Sequence, residues 1–198
     1  MVYNPKKYWQ KRCKNYTPHD TCDELLNMFD LLNTHMINTS EILEVGSGDG
    51  RLYNYLKTKK KQIVKRYVMC DFAESCRKIC KKNTGILPDG WDGIRLPYES
   101  DSFDCLISFS VMLHVPCSDI GLFFKEHVRV TKTFLFIATW WEDCREIDTI
   151  KDGISHGNCF MHNYYTLFKD NDAEIIDEKS FKVDGIYKRR NWFLKINK

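Results

Sequence analysis

The chain has 198 residues, 43% hydrophobic and 29% charged, with a formal charge of +3 at neutral pH. That length and composition fit one compact domain with a real core and exclude a disordered chain. The charge is too slight to imply nucleic acid by itself, and no apolar run approaches the length of a membrane span.

In chain order, residues 6–16 predict an aromatic-rich helix. Asp20 or Thr21 caps a second helix running through Leu32, with Leu25, Leu26, Met28, Phe29 and Leu32 as its apolar face. The first residues are too polar for a signal peptide, which makes a cytoplasmic setting the expectation. The nine cysteines are then expected to be reduced and packed as small apolar groups, and the N-x-[ST] matches at Asn15 and Asn38 carry no meaning. None form C-x-x-C, and Cys76 with Cys80, one helical turn apart, do not make a zinc site.

Strands are expected over 41–46, 63–70, 103–110 and 133–140, with helices over 50–58 and 73–83 and from near Ser118. "YYTLFKDN" reads as helix, and "AEIIDEKSF" and "RNWFLKIN" read as strands joined by a turn-rich link. A further strand is expected in 84–95, although prolines and glycines crowd it. The expected fold is α/β and doubly wound: a mostly parallel, seven-stranded sheet with helices on both faces and an antiparallel C-terminal edge hairpin.

The first strand runs into "EVGSGDGR", with Gly46, Gly48 and Gly50 alternating. The dinucleotide fingerprint G-x-G-x-x-G would put its third glycine at position 51, which is arginine. A diphosphate over a helix N-terminus wants amide hydrogens and no nearby anions, yet Glu44 and Asp49 flank this loop. A cationic ligand suits them better. Asp49 also suits the first turn of a helix through the helix dipole. Asp71 ends the second strand about 20 residues after the glycines, where a carboxylate accepts both hydroxyls of an adenosine ribose. It equally suits capping the helix over 73–83.

Over about 41–140 these residues resemble the class I S-adenosylmethionine-dependent methyltransferases. "EVGSGDG" looks like the family's glycine loop and "YVMCDFAES" like its ribose-binding strand end. "DGIRLPYESDSFDCLISFSVMLHV" is similar to its third and fourth motifs, while "RVTKTFLF" shortens the family's turn before the fifth strand. The resemblance implies a single methyltransferase domain over 1–198, with 1–40 as N-terminal helices forming a lid and 41–198 as a Rossmann-like core. It implies S-adenosyl-L-methionine as cofactor, with Glu44, Gly46, Ser47 and Gly48 around its methionine end and with the loop's amides open to its carboxylate. Asp71 would hold the ribose, Phe72 would lie beside the adenine, and Asp92 and the Gly93 backbone would contact its edge. Asp89 competes with Asp92 for that place. Ser108 and Phe109 would lie near the sulfonium. Tyr8, Trp9 and Arg12 suit a closing N-terminal helix, where an aromatic face attracts a sulfonium; packing of that helix onto the sheet explains Tyr8 and Trp9 as well.

For the acceptor, His114 after the fourth strand is the first candidate for base or substrate contact, with a structural role as its alternative. Trp140 and Trp141, with Glu142, follow the fifth strand and would form a substrate wall or cap the core. His156, His162, Tyr164 and Tyr165 lie where relatives carry part of a lid, and their spacing matches no metal site. Cys117 in "VPCS" comes too late after its strand for a Pro-Cys nucleophile, and the chain lacks the [DN]-P-P-aromatic signature of base-amino methylation. The basic run 57–66 sits away from the ligand end and reads as a solvated face. The expected function is methyl transfer from S-adenosylmethionine to a small-molecule acceptor by in-line displacement. The alternatives are an RNA or protein methyltransferase, or a catalytically silent partner subunit that binds the cofactor. A dehydrogenase fits least.

Overall fold

The computed structural model describes residues 4–13, 31–32, 34–35, 41–59, 64–140, 154–155, 159–183 and 187–198. Helix α1 (Pro5–Arg12) precedes strand β1 (Glu41–Val45), helix α2 (Arg51–Lys59), β2 (Arg66–Cys70) and α3 (Glu74–Thr84). Then come β3 (Phe103–Phe109), a 3₁₀ turn (Met112–His114), α4 (Ile120–Val130) and β4 (Thr131–Trp140). A small pair, β5 (Ile154–Ser155) and β6 (Cys159–Phe160), leads to α5 (Tyr164–Lys169) and the long strands β7 (Ala173–Val183) and β8 (Tyr187–Ile196).

The main sheet has the order β2-β1-β3-β4-β8-β7, with β1 to β4 mutually parallel and β8 antiparallel to both its neighbours. The chain steps outward from β1 to β2 and returns on the other side at β3. The strand order therefore reverses beyond the carboxyl ends of β1 and β3, where open α/β sheets hold their ligands. β1 and β3 are buried along almost their whole length, as parallel strands covered on both faces must be. Leu43 and Val45 face one core cluster with Phe123, Phe124, Trp192 and Leu194. Ile42 faces the other, with Leu52, Cys105, Ile107, Phe136 and Phe193. This alternation divides the core between the two sides of the sheet.

Helix α3 turns Cys76 and Cys80 inward and stops at Gly85, whose φ of 81° supplies the left-handed cap. Helix α4 passes directly into β4, and the Thr131 hydroxyl donates to the His127 carbonyl at 2.7 Å. The shortened turn seen in the sequence is thus a direct helix-to-strand junction.

Two expectations are corrected. Among the described residues the sheet has six strands rather than seven, because the strand expected in 84–95 contracts to a single bridge between Cys70 and Asp89. Only two hydrogen bonds form there, Asp71 N to Asp89 O at 3.0 Å and Asp89 N to Met69 O at 2.8 Å. Pro88 has no amide to donate, and Gly90 and Gly93 weaken an extended run. The second correction concerns the thiols. Cys13 and Cys76 form a disulfide, with Cα atoms 5.4 Å apart. It closes where α1 packs on the start of α3, in a cluster with Trp9, Ala73 and Ile79. Cys70, Cys80 and Cys105 are buried free thiols, and Cys117 is an exposed one.

The helix expected to run from position 20 or 21 lies mostly outside the described residues; Leu31 and Leu32 are helical and buried in the second core cluster. Among the described residues no helix is long and apolar enough to cross a membrane.

Candidate active site

A cavity of about 580 Å³ opens beyond the carboxyl ends of β1, β2 and β3. Its floor is the loop after β1, and one wall is Asp71 and Phe72 after β2 together with Trp91 to Ile94. The opposite wall is Phe109 to Val111, Leu113 to Pro116 and Arg189 of β8, and α1 supplies the cover through Tyr8 and Trp9.

The glycine loop is a tight turn whose amides are spent on the protein. Gly46 N and Ser47 N both donate to the Cys70 carbonyl, at 2.8 and 3.1 Å, and Gly50 N donates to Ser47 O at 2.9 Å. Gly48 N donates to Asp71 Oδ2 at 2.9 Å. The loop amides expected to meet the cofactor's carboxylate are therefore turned inward, which also removes the usual cradle of a phosphate. Gly46 has a φ of 73°, and a Cβ on it would collide with the Val111 side chain.

Asp71 joins the loop to α3: its second oxygen accepts from Ala73 N at 2.8 Å. Asp71 lines the cavity, but it does not cap α3: the N-cap is Ala73, without a side-chain cap bond, and Asp71 holds the Ala73 amide just before the helix. Burial raises the Asp71 carboxyl to about 6, against the pull of the Ala73 and Gly48 amides. Glu44 lies under the loop, buried and cavity-lining, and accepts from the Tyr67 hydroxyl at 2.7 Å. Burial pushes its carboxyl up to about 8, and the Tyr67 hydrogen bond and the Arg51 charge oppose that rise only in part. At neutral pH the buried carboxyl is largely protonated until a cation arrives.

Asp92 lines the cavity, while Asp89 completes the edge bridge and accepts from the Tyr98 hydroxyl at 2.9 Å. Asp92 folds into a turn, accepting from Ile94 N at 2.8 Å and Arg95 N at 2.7 Å, and the Ile94 amide first among causes holds its carboxyl below the usual range. Phe72 and Gly93 line the same wall.

Of the two residues expected near a sulfonium, Phe109 lines the cavity and Ser108 does not. Ser108 is fully buried within β3, paired with Val45 and Ile137. Two positions on, Ser110 lines the cavity with a φ of 56°, a left-handed conformation uncommon for residues other than glycine. Its hydroxyl accepts from Arg189 Nη1 at 3.0 Å. His114 lines the cavity, and the Trp9 ring meets it edge-on with centroids 4.8 Å apart. Tyr8 stands edge-on to Trp9 at 5.3 Å.

Other candidates fall elsewhere. His162 is buried against the Met112 carbonyl at 3.1 Å, and Tyr164 is buried against the Thr139 hydroxyl at 3.1 Å. Tyr165 donates to Glu178, away from the cavity. Cys117 is outside the cavity lining, with Sγ 3.9 Å from His162 Nδ1. The side chains of Arg12 and Trp140, and all of Trp141, Glu142 and His156, lie outside the described residues. Among the described residues no group of three His, Cys, Asp or Glu side chains could hold a metal ion.

Arg51, Ser110 and Arg189 were missed in the sequence. Arg51 directly follows the glycines, and its guanidinium lies 5.2 Å from the Phe109 ring centroid within the cavity wall. Its adjacency to the loop was the signal available. Ser110 and Arg189 are 79 positions apart, and no local pattern links them.

Residues 43–134 match the model of a methyltransferase domain family. That match spans a little under half of the chain, and it agrees with the resemblance to the class I S-adenosylmethionine-dependent methyltransferases. The methyltransferase is an enzyme whose methyl donor is S-adenosyl-L-methionine. Its fold is shared with a protein of Pyrococcus horikoshii OT3, at 15% identity and a TM-score of 0.71 over 97% of this chain and 99% of that one. A magnesium protoporphyrin IX methyltransferase from Synechocystis PCC 6803, solved with bound S-adenosylhomocysteine, is similar over 96% of this chain and 94% of its own, at 13% identity and a TM-score of 0.65. An S-adenosylmethionine-dependent methyltransferase from Methanosarcina mazei is similar over 84% of this chain and 96% of its own, at 14% identity and a TM-score of 0.67. No curated protein sequence matches the chain.

The site fits this cofactor. A buried carboxylate at the end of β2 suits vicinal hydroxyls. A second carboxyl beneath a loop whose Gly46, Ser47, Gly48 and Gly50 amides are already bonded within the protein suits a cation rather than a phosphate.

Proposed function

We propose that the methyltransferase acts on a small-molecule acceptor held between α1 and the Met112–His114 turn. The observation that carries this reading is the cover over the site. α1 lines the cavity through Tyr8 and Trp9, and Trp9 meets His114 edge-on at 4.8 Å, which supports one cavity of about 580 Å³ for cofactor and acceptor together. That size is usual for small-molecule sites. The basic residues nearest the run 57–66 lie at the other ends of the strands. Lys65 pairs with Glu41 at 3.2 Å at the start of β1, and Lys132 pairs with Asp104 at 3.1 Å near the start of β3. That placement sets these two lysines away from the cavity, which weakens the basic run as an RNA contact.

When bound, S-adenosylmethionine supplies a methyl carbon activated by its sulfonium. Asp71 accepts from the ribose hydroxyls, Asp92 and the Gly93 backbone take the adenine edge, and Phe72 lies along its face. Glu44 attracts the cationic methionine end, with Gly46, Ser47 and Gly48 shaping the loop around it. Arg51 is the cation that this end of the cavity offers to a carboxylate. Phe109 and Ser110 border the acceptor side, and His114 accepts a proton where the acceptor must lose one. Much of the rate comes from holding the reacting atoms in line at near-attack distance. Residues 1–198 act as one domain, with the segment before β1 as its lid.

A panel of acceptors tests the reading. With radiolabelled donor, label should enter the small-molecule pool of amines, phenols or carboxylic acids. Salt-sensitive labelling of RNA, or labelling of protein, would sink it. Cofactor binding without transfer to any class would support a silent partner subunit instead.

A further inference from the structure

We propose that the Cys13–Cys76 disulfide is a redox latch that fastens α1 over the cofactor cavity and sets how fast the spent cofactor leaves. This rests on reading the cavity as the cofactor site and α1 as its cover.

The placement carries the argument. Cys76 is in the first turn of α3, just past Asp71 and Phe72, and Cys13 is the C-cap of α1. Both line the cavity although both are almost fully buried, at 3% and 4% exposure. The bond therefore joins the cover to the wall expected to hold the nucleoside. α1 has only eight residues, and a helix that short is not stable without tertiary support. Beside the disulfide, α1 makes non-covalent contacts with the rest of the molecule. Ser75 Oγ reaches the Trp9 carbonyl at 3.5 Å, Trp9 packs against the cluster of Ala73, Cys76 and Ile79, and its ring meets His114 across the mouth. The bond is a short second tether that raises the effective concentration of an undocked α1 at the cavity, and cutting it leaves the cover to non-covalent contacts. The free thiols have no such position: Cys70, Cys80 and Cys105 are buried, and Cys117 lies outside the cavity.

The chemistry balances with a dithiol reductant. One of its thiolates attacks a sulfur of the pair and forms a mixed disulfide. Its second thiol then displaces the protein sulfur. Two electrons and two protons pass to Cys13 and Cys76, which become thiols, while the dithiol leaves as its own disulfide. A disulfide oxidant reverses the exchange. Because the pair lines the cavity, bound nucleoside shields it, so cofactor binding and reduction oppose one another.

The test uses the full chain, oxidised with glutathione disulfide or reduced with dithiothreitol. Alkylation and peptide mapping should show a Cys13–Cys76 cross-linked peptide in the oxidised form and two labelled thiols in the reduced one. Dissociation of S-adenosylhomocysteine, followed by stopped-flow fluorescence, should be about tenfold or more faster after reduction. Cys13→Ser and Cys76→Ser should show the fast rate in both conditions, whereas Cys117→Ser should keep the redox dependence. Saturating S-adenosylhomocysteine should slow reduction of the bond. Equal dissociation rates for the two wild-type forms, or free thiols at both positions after oxidation, overturn the latch. If a serine variant does not fold, the wild-type comparison decides alone. Failure of the nucleoside to bind either form, with the cross-linked peptide present, overturns the cofactor-site reading and the latch with it.

Discussion

Asp71 is asked to do two things with one carboxylate. Its oxygens fix Gly48 and Ala73, and the residue also lines the cavity. Burial holds its carboxyl near 6, so it is ionised at neutral pH but not by a wide margin. Ribose hydroxyls donate to the ionised form. Cofactor affinity is therefore expected to be highest above about pH 6 and to fall, approaching tenfold per unit, below it. Asp71→Asn should weaken S-adenosylhomocysteine binding by about ten- to a hundredfold, through lost charge-assisted bonds, and flatten that pH dependence. Calorimetric titrations between pH 5 and 8 on both proteins would read both effects. Unchanged affinity in the variant would leave Asp71 as a structural clasp between loop and helix.

At the scale of elements, the loop between β1 and α2 separates shape from contact. Gly46 and Gly48 both have positive φ, but a Cβ at Gly46 runs into Val111, whereas one at Gly48 meets only the open cavity. Gly46→Ala should cost about 2 kcal/mol or more of stability, from the left-handed backbone plus the clash. Gly48→Ala should lose less stability and more cofactor affinity. Chemical denaturation paired with ligand titration separates the two, and an equal stability loss in both would refute the assignment. This loop was legible in the sequence because everything that defines it lies within a few residues: three glycines, Glu44 before them and the apolar strand leading in. Asp71 was legible through a fixed offset. What was not legible depends on distant partners. The seventh strand failed because Pro88 and its glycines outweighed an apolar Ile86–Leu87 pair that the structure leaves exposed. Ser108 and Ser110 differ only in the end point of β3, which β4 decides through the Ser110 N to Ala138 O bond at 2.7 Å. Cys13 and Cys76 are 63 positions apart, and only the docking of α1 brings them together.

Across the whole molecule, buried ionisable groups give stability an unusual pH course. Glu44 has its folded pKa raised to about 8, so its protonated form stabilises the fold below its ordinary value, and that contribution is lost as pH rises through 8. His127 and His162 are lowered to about 4 by burial and act oppositely, costing stability as pH falls from about 6.5 towards 4. Without cofactor, the protein should therefore lose about 1 kcal/mol on going from pH 6.5 to 8, since the two histidines offset about half of the Glu44 loss, and Glu44→Gln should abolish that loss. Thermal melts at the two pH values check it; a wild-type protein equally stable at both would show that Glu44 ionises normally.

Strand β8 comes after β7 in the chain but lies between β7 and β4 in the sheet, bringing Trp192 to one core cluster and Phe193 to the other. A ribosome delivers the chain in order, so β4 waits with an open, apolar edge until the strand after β7 has emerged. During that interval the nascent chain carries an unpaired template for pairing with other chains. Holding it apart until β8 inserts is a task for the cell's chaperones.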